Sequence, residues 1–243
     1  MKKLLSVSIA ALTFAAVADS AVYSPIQVGV TEIATTTTQK NYIIPVPYST
    51  IGSDAAVSVH DLVKAANLPN GTKLYHYNGS SYQVWEVSGG TWIAPDVAAT
   101  PAIAGTSVTA GSSDVTIAVG SALWVVFGSN PAASQKIYVY GSPVATKTTT
   151  ISETGKTYLL SNPTGTEISN LATKLSGIAG NGDKILPIGG DFSGYYFYSE
   201  SESTWKKVTG TTITTASLPA LGGYAGFWYV NKTALSGENT ITW

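Results

Sequence analysis

The sequence has no cysteine, no arginine and only two histidines, His60 and His76. Without cysteine the chain forms no disulfides, so its folded state depends on buried cores. Without arginine it lacks the guanidinium fork that binds phosphates and carboxylates through paired hydrogen bonds. Lysine supplies all 13 basic residues, and charged residues make up 11% of the chain. These absences exclude the usual cysteine and histidine zinc sites and disfavour nucleic acid as a partner.

The same absences leave little equipment for catalysis. The two histidines are far apart in sequence, and no G-x-S-x-G nucleophile motif is present. Asp183 and Asp191 flank a glycine-rich segment, which ordinary turns explain better than a calcium loop. Glu200 and Glu202 alternate on an exposed turn, where solvated charge is more common than a glycosidase pair. The sequence therefore predicts no enzyme, no cofactor and no metal.

The N terminus has the pattern of a secretory signal peptide. Lys2 and Lys3 precede an apolar stretch at 4–17, and small residues allow cleavage after Ala18 or Ala21. That stretch is too short to span a bilayer, and no later run reaches 18 apolar residues, so no transmembrane helix is expected. Cleavage after Ala18 would leave 11 lysines against 14 acidic residues, which argues against anionic membranes. We expect a protein secreted by a bacterium or held at its surface.

The sequence also contains an apparent duplication. The run that begins at Val28 aligns without a gap with the run that begins at Val144, and both continue through a short helix, an aromatic hairpin and a glycine-led aromatic strand. The predicted organisation is a signal peptide at 1–21, a first β unit at 22–141 and a second at 142–243. We expect a mainly β protein of two tandem β-sandwich or barrel-like repeats, each with one short helix.

Local signals place the helices and one hairpin. Ser58 and Asp61 have the spacing of a capping box, which predicts a helix start. The apolar stripe at 168–175 predicts the equivalent helix of the second unit. Asn78-Gly79 between two aromatic runs predicts a β-hairpin.

The two units differ most in one connection. It takes 32 residues to pass from Trp92 to Trp124, but 23 from Trp205 to Trp228. The extra residues fall within 94–114, which is rich in alanine, glycine, serine and threonine. We expect either a tolerated surface loop or an assembly or binding loop that only one unit needs.

Aromatic residues are frequent on the predicted strands. Because alternate residues of a strand face opposite sides, one set can enter the core while the other remains exposed to stack on sugar rings or fill an interface. Trp124 and Trp228 follow glycines in apolar strands and are expected to be buried. The candidate glycan or interface aromatics are Tyr75, Tyr77, Tyr82, Trp85, Tyr195, Tyr196 and Tyr198.

A set of glycine, proline and aromatic motifs spans most of the chain. The motif residues are Ser24, Val28, Gly29, Val46, Pro47, Tyr82, Trp92, Gly120, Leu123, Trp124, Val125, Tyr196, Trp205, Gly226, Phe227, Trp228 and Val230. In these the chain resembles uncharacterised secreted β-rich proteins of the planctomycete and verrucomicrobial bacteria, here in tandem duplicate. The resemblance implies a secreted β domain and brings no known activity or catalytic residue.

The predicted function is a non-catalytic extracellular structural protein, a subunit of a self-assembling surface filament or sheath whose partners are copies of itself. A strand near the N terminus can leave its own sheet and complete the edge of the next subunit. The residues predicted to make that contact are Tyr23, Ile26, Val28 and Val30. The alternative is a carbohydrate-binding or adhesive surface module with a glycan partner. A third possibility is an outer-membrane β-barrel, suggested by the terminal Trp243 and the many tyrosines.

Overall fold

The computed structural model describes residues 28–52, 55–97, 107–112, 114–144, 147–187, 194–232 and 239–243. The chain is mainly β, as the sequence predicts, with short helical turns between strands. The predicted signal peptide, Tyr23, Ile26 and Asp191 lie outside the described residues. Within the described residues, no helix is long and apolar enough to cross a membrane.

We call residues 28–144 the first half of the chain and residues 147–243 the second half. The first half contains β1 (Gly29–Ala34), β2 (Asn41–Pro45), β3 (Tyr48–Ser49), β4 (Val57–Ser58), β5 (Lys73–Tyr77), β6 (Tyr82–Ser88), β7 (Thr91–Ile93), β8 (Val108–Ala110), β9 (Thr116–Ile117), β10 (Ala122–Val126) and β11 (Lys136–Pro143). Helix α1 (Val59–Leu62) and a 3-10 turn (Ala65–Asn67) lie between β4 and β5. Ser142 and Pro143 pair with β3, so the last strand of the first half runs past the expected boundary at 141.

Two sheets enclose the core of the first half. The main sheet has the order β2-β10-β5-β6-β7, and the second sheet has the order β1-β11-β3. Inward residues of both sheets and of α1 form one buried cluster that includes Ile44, Leu62, Leu74, Trp85, Leu123, Val125, Ile137 and Val139. The first half is therefore a β-sandwich with α1 packed at its side.

The second half also has a main sheet and a smaller strand pair around a buried core. Its strands are β12 (Thr148–Ile151), β13 (Thr157–Ser161), β14 (Lys184–Pro187), β15 (Gly194–Ser199), β16 (Thr204–Thr209), β17 (Thr212–Thr215), β18 (Gly226–Val230) and β19 (Asn239–Thr242), with helix α2 (Leu171–Leu175) and a 3-10 turn (Glu200–Glu202). The main sheet has the order β13-β18-β14-β15-β16-β17, and β12 pairs with β19. Its core includes Ile151, Leu171, Leu175, Ile185, Trp205, Phe227, Tyr229 and Ile241.

The order of pairing supports the predicted duplication, which stays a prediction. Both main sheets begin with the second strand of their half, β2 or β13, followed by the tryptophan strand, β10 or β18, and then by an aromatic strand pair, β5–β6 or β14–β15. Trp124 pairs with Ile43, and Trp228 pairs with Leu159, two positions that the ungapped alignment superposes. The outermost strands fit that alignment less well, because the turn between β12 and β13 is shorter than the turn between β1 and β2.

The cap of the first helix and the hairpin at Asn78 form where the sequence predicts them. Ser58 caps α1 by accepting a hydrogen bond from the Asp61 backbone, and the loop after Asn78 closes the β5–β6 hairpin with Gly79 at φ 94°. The second helix begins later than expected, because Asn170 is its cap and Ile168 instead forms a β-bridge with Leu221.

The two halves pack together through the outer faces of their main sheets. Trp124 and Trp228 are half-buried there, so the prediction that they belong to the cores is wrong. Leu123 and Phe227, the residues just before them, point into the cores instead, because side chains alternate along a strand. Gly226 permits close contact, since a Cβ there would lie 2.7 Å from the Ile43 side chain.

Candidate functional site

Strand β1 is an edge strand with a free side. It pairs antiparallel with β11 in its own chain, with Thr31 opposite Val139. No strand among the described residues pairs with its other edge. Val28 and Val30 are 54% and 53% exposed, whereas Thr31 is buried. Val28 and Val30 are the two residues of the predicted assembly segment that the structure describes. Both therefore lie at the surface, beside unpaired backbone groups.

β11 places two tyrosines beside these valines. Tyr140 lies directly opposite Val30, and Tyr138 lies opposite Glu32. The two rings are 6.3 Å apart, and Asn67 donates a 2.9 Å hydrogen bond to the Tyr140 hydroxyl. Both tyrosines are half-buried. We call the surface formed by Val28, Val30, Tyr138 and Tyr140 the β1 patch. The sequence analysis missed the tyrosines, although their alternation with Ile137 and Val139 was a usable signal.

An ion pair borders the β1 patch. Lys136 Nζ donates to Glu32 Oε1 at 2.5 Å, and this hydrogen bond raises the pKa of the lysine. Both side chains are largely exposed, so the pair contributes little to the free energy of unfolding. It leaves the apolar part of the patch uncovered.

Tyr48 fixes β1 to the rest of the sandwich. Its hydroxyl lies 2.7 Å from Thr31 Oγ1, and burial raises its pKa. Gly29 lies against the same ring, because a Cβ at that position would overlap Tyr48. The inner face of β1 is therefore held in one register, while its outer face and free edge remain available.

Three of the predicted glycan or interface aromatics are buried within the chain. Trp85 belongs to the first core and donates a 2.7 Å hydrogen bond to the Ser112 carbonyl. Tyr75 and Tyr82 are 4% and 3% exposed and pack with Trp124 between the two halves. Because their faces are covered, these rings are not free to stack on a sugar.

The other four aromatics divide between interior and surface. Tyr77 is half-buried and contacts Trp228 edge to face at 5.4 Å. Tyr196 is buried in the second core, with Tyr198 packed against it. Tyr195 remains partly exposed, and the Lys184 ammonium lies 4.7 Å from its ring centre. The exposed aromatic row that the sequence predicted is thus reduced to Tyr195 and part of Tyr77.

A cleft of about 300 Å³ lies between the two halves. One wall comes from the end of the β5–β6 hairpin and includes His76 and Tyr77, and the other comes from β12, β13 and their turn and includes Glu153 and Lys156. Lys156 Nζ is 3.6 Å from Glu153 Oε2. Burial lowers the pKa of His76, whose Nδ1 is 3.1 Å from Gln83 Oε1. The cleft thus offers two tyrosines, Tyr77 and Tyr158, one imidazole and one ion pair.

The chain brings a serine, a histidine and an aspartate together without building a catalytic triad. The Ser58 hydroxyl donates a 2.6 Å hydrogen bond to Asp114, and His60 Nδ1 is 4.0 Å from the same carboxylate. A hydrolytic triad needs the serine hydroxyl bonded to the imidazole, whereas here it is bonded to the carboxylate and also caps α1. Within the described residues, no group of three or more histidine or acidic residues could hold a metal ion.

No protein-family model matches the chain, and no curated protein or solved structure is similar enough to count as a match.

Proposed function

We propose that the protein is a non-catalytic structural subunit that is exported and assembles with copies of itself, using the β1 patch as one contact surface. The observation that carries the proposal is the position of Val28, just before β1, and Val30, on β1: both are more than half exposed, and the second edge of β1 has no partner among the described residues. Exposed apolar residues beside a free strand edge favour pairing with another chain.

The β1 patch can contribute to association in two ways, by burial of apolar surface and by backbone hydrogen bonds. Its valines and tyrosines can bury apolar surface, and its edge can donate and accept backbone hydrogen bonds. Burial of each valine contributes about 1.5 kcal/mol or more, which corresponds to roughly a tenfold change in affinity. The chain carries little charge, and the contacts with Tyr48 hold the inner face of β1 in place. β1 can therefore present the same outer surface to each partner.

This contact can also form by exchange of β1 between subunits. The register with β11 that exists within one chain would then be formed by β1 of a neighbouring chain, with Thr31 in the same place against Tyr48. Tyr23 and Ile26 would extend the exchanged segment, as the sequence predicts.

The test is a double substitution, Val28→Lys with Val30→Lys, compared with Ile93→Lys. Ile93 is 44% exposed on β7, so the control adds a charge to another edge strand of the same sandwich. We expect the parent and the control to form large assemblies in light scattering and negative-stain images, and the double variant to remain monomeric. A monomeric parent, or a double variant that assembles like the parent, would remove the proposal.

The cleft between the halves favours a second candidate function, binding of a neutral glycan. Its volume and its mixture of aromatic rings with a few polar groups are typical of small-ligand sites. This function predicts a monomer that binds a glycan array, with binding weakened by Lys156→Ala or Glu153→Ala. A parent that binds no glycan would exclude it.

A further inference from the structure

Strand β17 buries none of its side chains in its own subunit. All four of its residues, Thr212–Thr215, are exposed, and Ile213 is 58% exposed, more than any other large apolar residue described. β17 pairs with β16 on one side, and no strand among the described residues pairs with its other side. The strand therefore adds hydrogen bonds to the sheet but nothing to the core.

Among its described residues, the first half has no equivalent of β17. There, β7 covers one end of β6 and β8 pairs parallel with the other end, so two short strands together occupy the place that β16 takes beside β15. The first main sheet ends at that position, whereas the second main sheet continues by one more strand. The second sandwich therefore does not need β17 to cover its core.

An apolar row leads from β17 across the outer face of its sheet. Ile213 lies opposite Val208, and Val208 lies opposite Tyr195. Val208 and Tyr195 are half-buried. We call Tyr195, Val208 and Ile213, with the free edge of β17, the β17 surface. It lies in the second half, at the far end of the sheet from the strands that contact the first half.

β17 lacks the features that protect sheet edges from pairing. Its sequence TITT contains no proline and no charge, and threonine and isoleucine both favour strands. β1 also has an unpaired edge and an exposed outer face, and its one acidic residue, Glu32, is held in the ion pair with Lys136. On β16, next to β17, Lys206 forms an ion pair with Glu202. The two free edges can therefore meet without like charges opposite each other.

Pairing between two copies of β1 would use the same surface on both subunits and would end at a closed dimer. Pairing of β1 with β17 uses two different surfaces, which is the arrangement that produces an open chain of subunits.

We propose that the free edge of β17 in one subunit pairs with the free edge of β1 in the next, so that the β17 surface and the β1 patch form one repeated interface. This inference rests on the proposed self-assembly and names its second surface. It joins the main sheet of the second half to the smaller sheet of the first half of the following subunit.

Disulfide trapping tests the pairing cleanly, because the native chain contains no cysteine. Single variants Val30→Cys and Glu32→Cys would each be mixed with Ile213→Cys or Thr215→Cys, in the chain expressed from its first codon and exported. These residues sample three registers that keep the same side chains on each face. Residues directly opposite on adjacent strands are close enough to form a disulfide. Ile93→Cys mixed with Val30→Cys is the control.

We expect at least one mixture of a β1 variant with a β17 variant to form a disulfide-linked dimer rapidly. The rate should be at least tenfold higher than that of the control mixture or of either variant oxidised alone. A chain that carries both cysteines of that pair should give a ladder of oligomers on a non-reducing gel. If the parent assembles by light scattering but no mixture cross-links above the control, the β1–β17 pairing is overturned while self-assembly stands. If the parent does not assemble, both proposals are overturned.

Discussion

At the scale of single residues, a buried carboxylate organises the second half. Asp183 is fully buried, and its oxygens accept hydrogen bonds from the Tyr229 hydroxyl at 2.6 Å, the Lys232 amide at 2.6 Å and the Gly180 amide at 2.9 Å. Burial, together with the carboxylate, raises the pKa of Tyr229. The turn at 180–183 is therefore held against β18 through the Asp183 carboxylate.

Replacing Asp183 with asparagine should lower the free energy of unfolding by about 3 kcal/mol, because an amide nitrogen cannot accept from a backbone N–H and buried donors are left unpaired. Chemical denaturation would measure this change. The matched control is Asp61→Asn, whose side chain is 64% exposed and should change the free energy by about 0.5 kcal/mol or less. Equal effects of the two substitutions would contradict the prediction.

His76 is the second residue with a measurable consequence. Burial lowers its pKa from the ordinary value of 6.5, and the contact with Gln83 partly opposes that shift. The unfolded chain therefore binds a proton at a higher pH than the folded chain does. The resulting stability is fully present above about pH 6.5 and is lost as the pH falls through the lowered pKa.

We expect the free energy of unfolding to decrease between pH 7 and pH 5, and His76→Gln to reduce that slope, because glutamine does not titrate. Denaturant titrations of parent and variant at several pH values would measure the difference. An unchanged slope in the variant would show that other groups cause the pH dependence.

At the scale of elements, the extra segment of the first half has a structural role. Strand β8 completes the sheet beside β6, and Gly111, just after it, passes over the Trp85 indole. The sequence offered a tolerated loop or a binding loop for 94–114. The described part of that segment instead closes the first core, because Trp85 donates its N–H to Ser112 and has no room for a side chain at Gly111.

Gly111→Ala should therefore lower the free energy of unfolding by about 1–3 kcal/mol, since a Cβ there would overlap the indole ring. Gly177→Ala is the matched control, because a Cβ at that glycine meets no atom within 4 Å. The denaturant midpoint of each variant gives the comparison. If both substitutions were neutral, β8 would not be part of the cooperative core.

At the scale of the whole molecule, the two halves share a buried aromatic interface. Trp228 contacts Tyr77 and Tyr82 of the first half, and the Ser161 amide donates a 2.7 Å hydrogen bond to Gly120. Such contacts couple the unfolding of one sandwich to that of the other. The halves should behave as one cooperative unit as long as this interface is intact.

Trp228→Ala should uncouple the halves. We expect the parent to give one calorimetric transition and the variant to give two, with a loss of about 2–3 kcal/mol because the ring is only half-buried. Ile213→Ala, on β17 at the other end of the same sheet, is the control and should keep the single transition. Two transitions in the parent would contradict the coupling.

The sequence alone determined the fold class, the hairpin at Asn78 and the cap of α1, since turn residues and strand alternation act over a few neighbouring residues. It also identified Val28 and Val30 as members of one extended run. Only the tertiary structure decided which face of each strand was covered. Trp124 and Trp228 lie outside the two cores, and Tyr75 and Tyr82 are buried, because the halves pack outer face to outer face. Alternation along a strand separates two faces, but it carries no information on what will cover the second one.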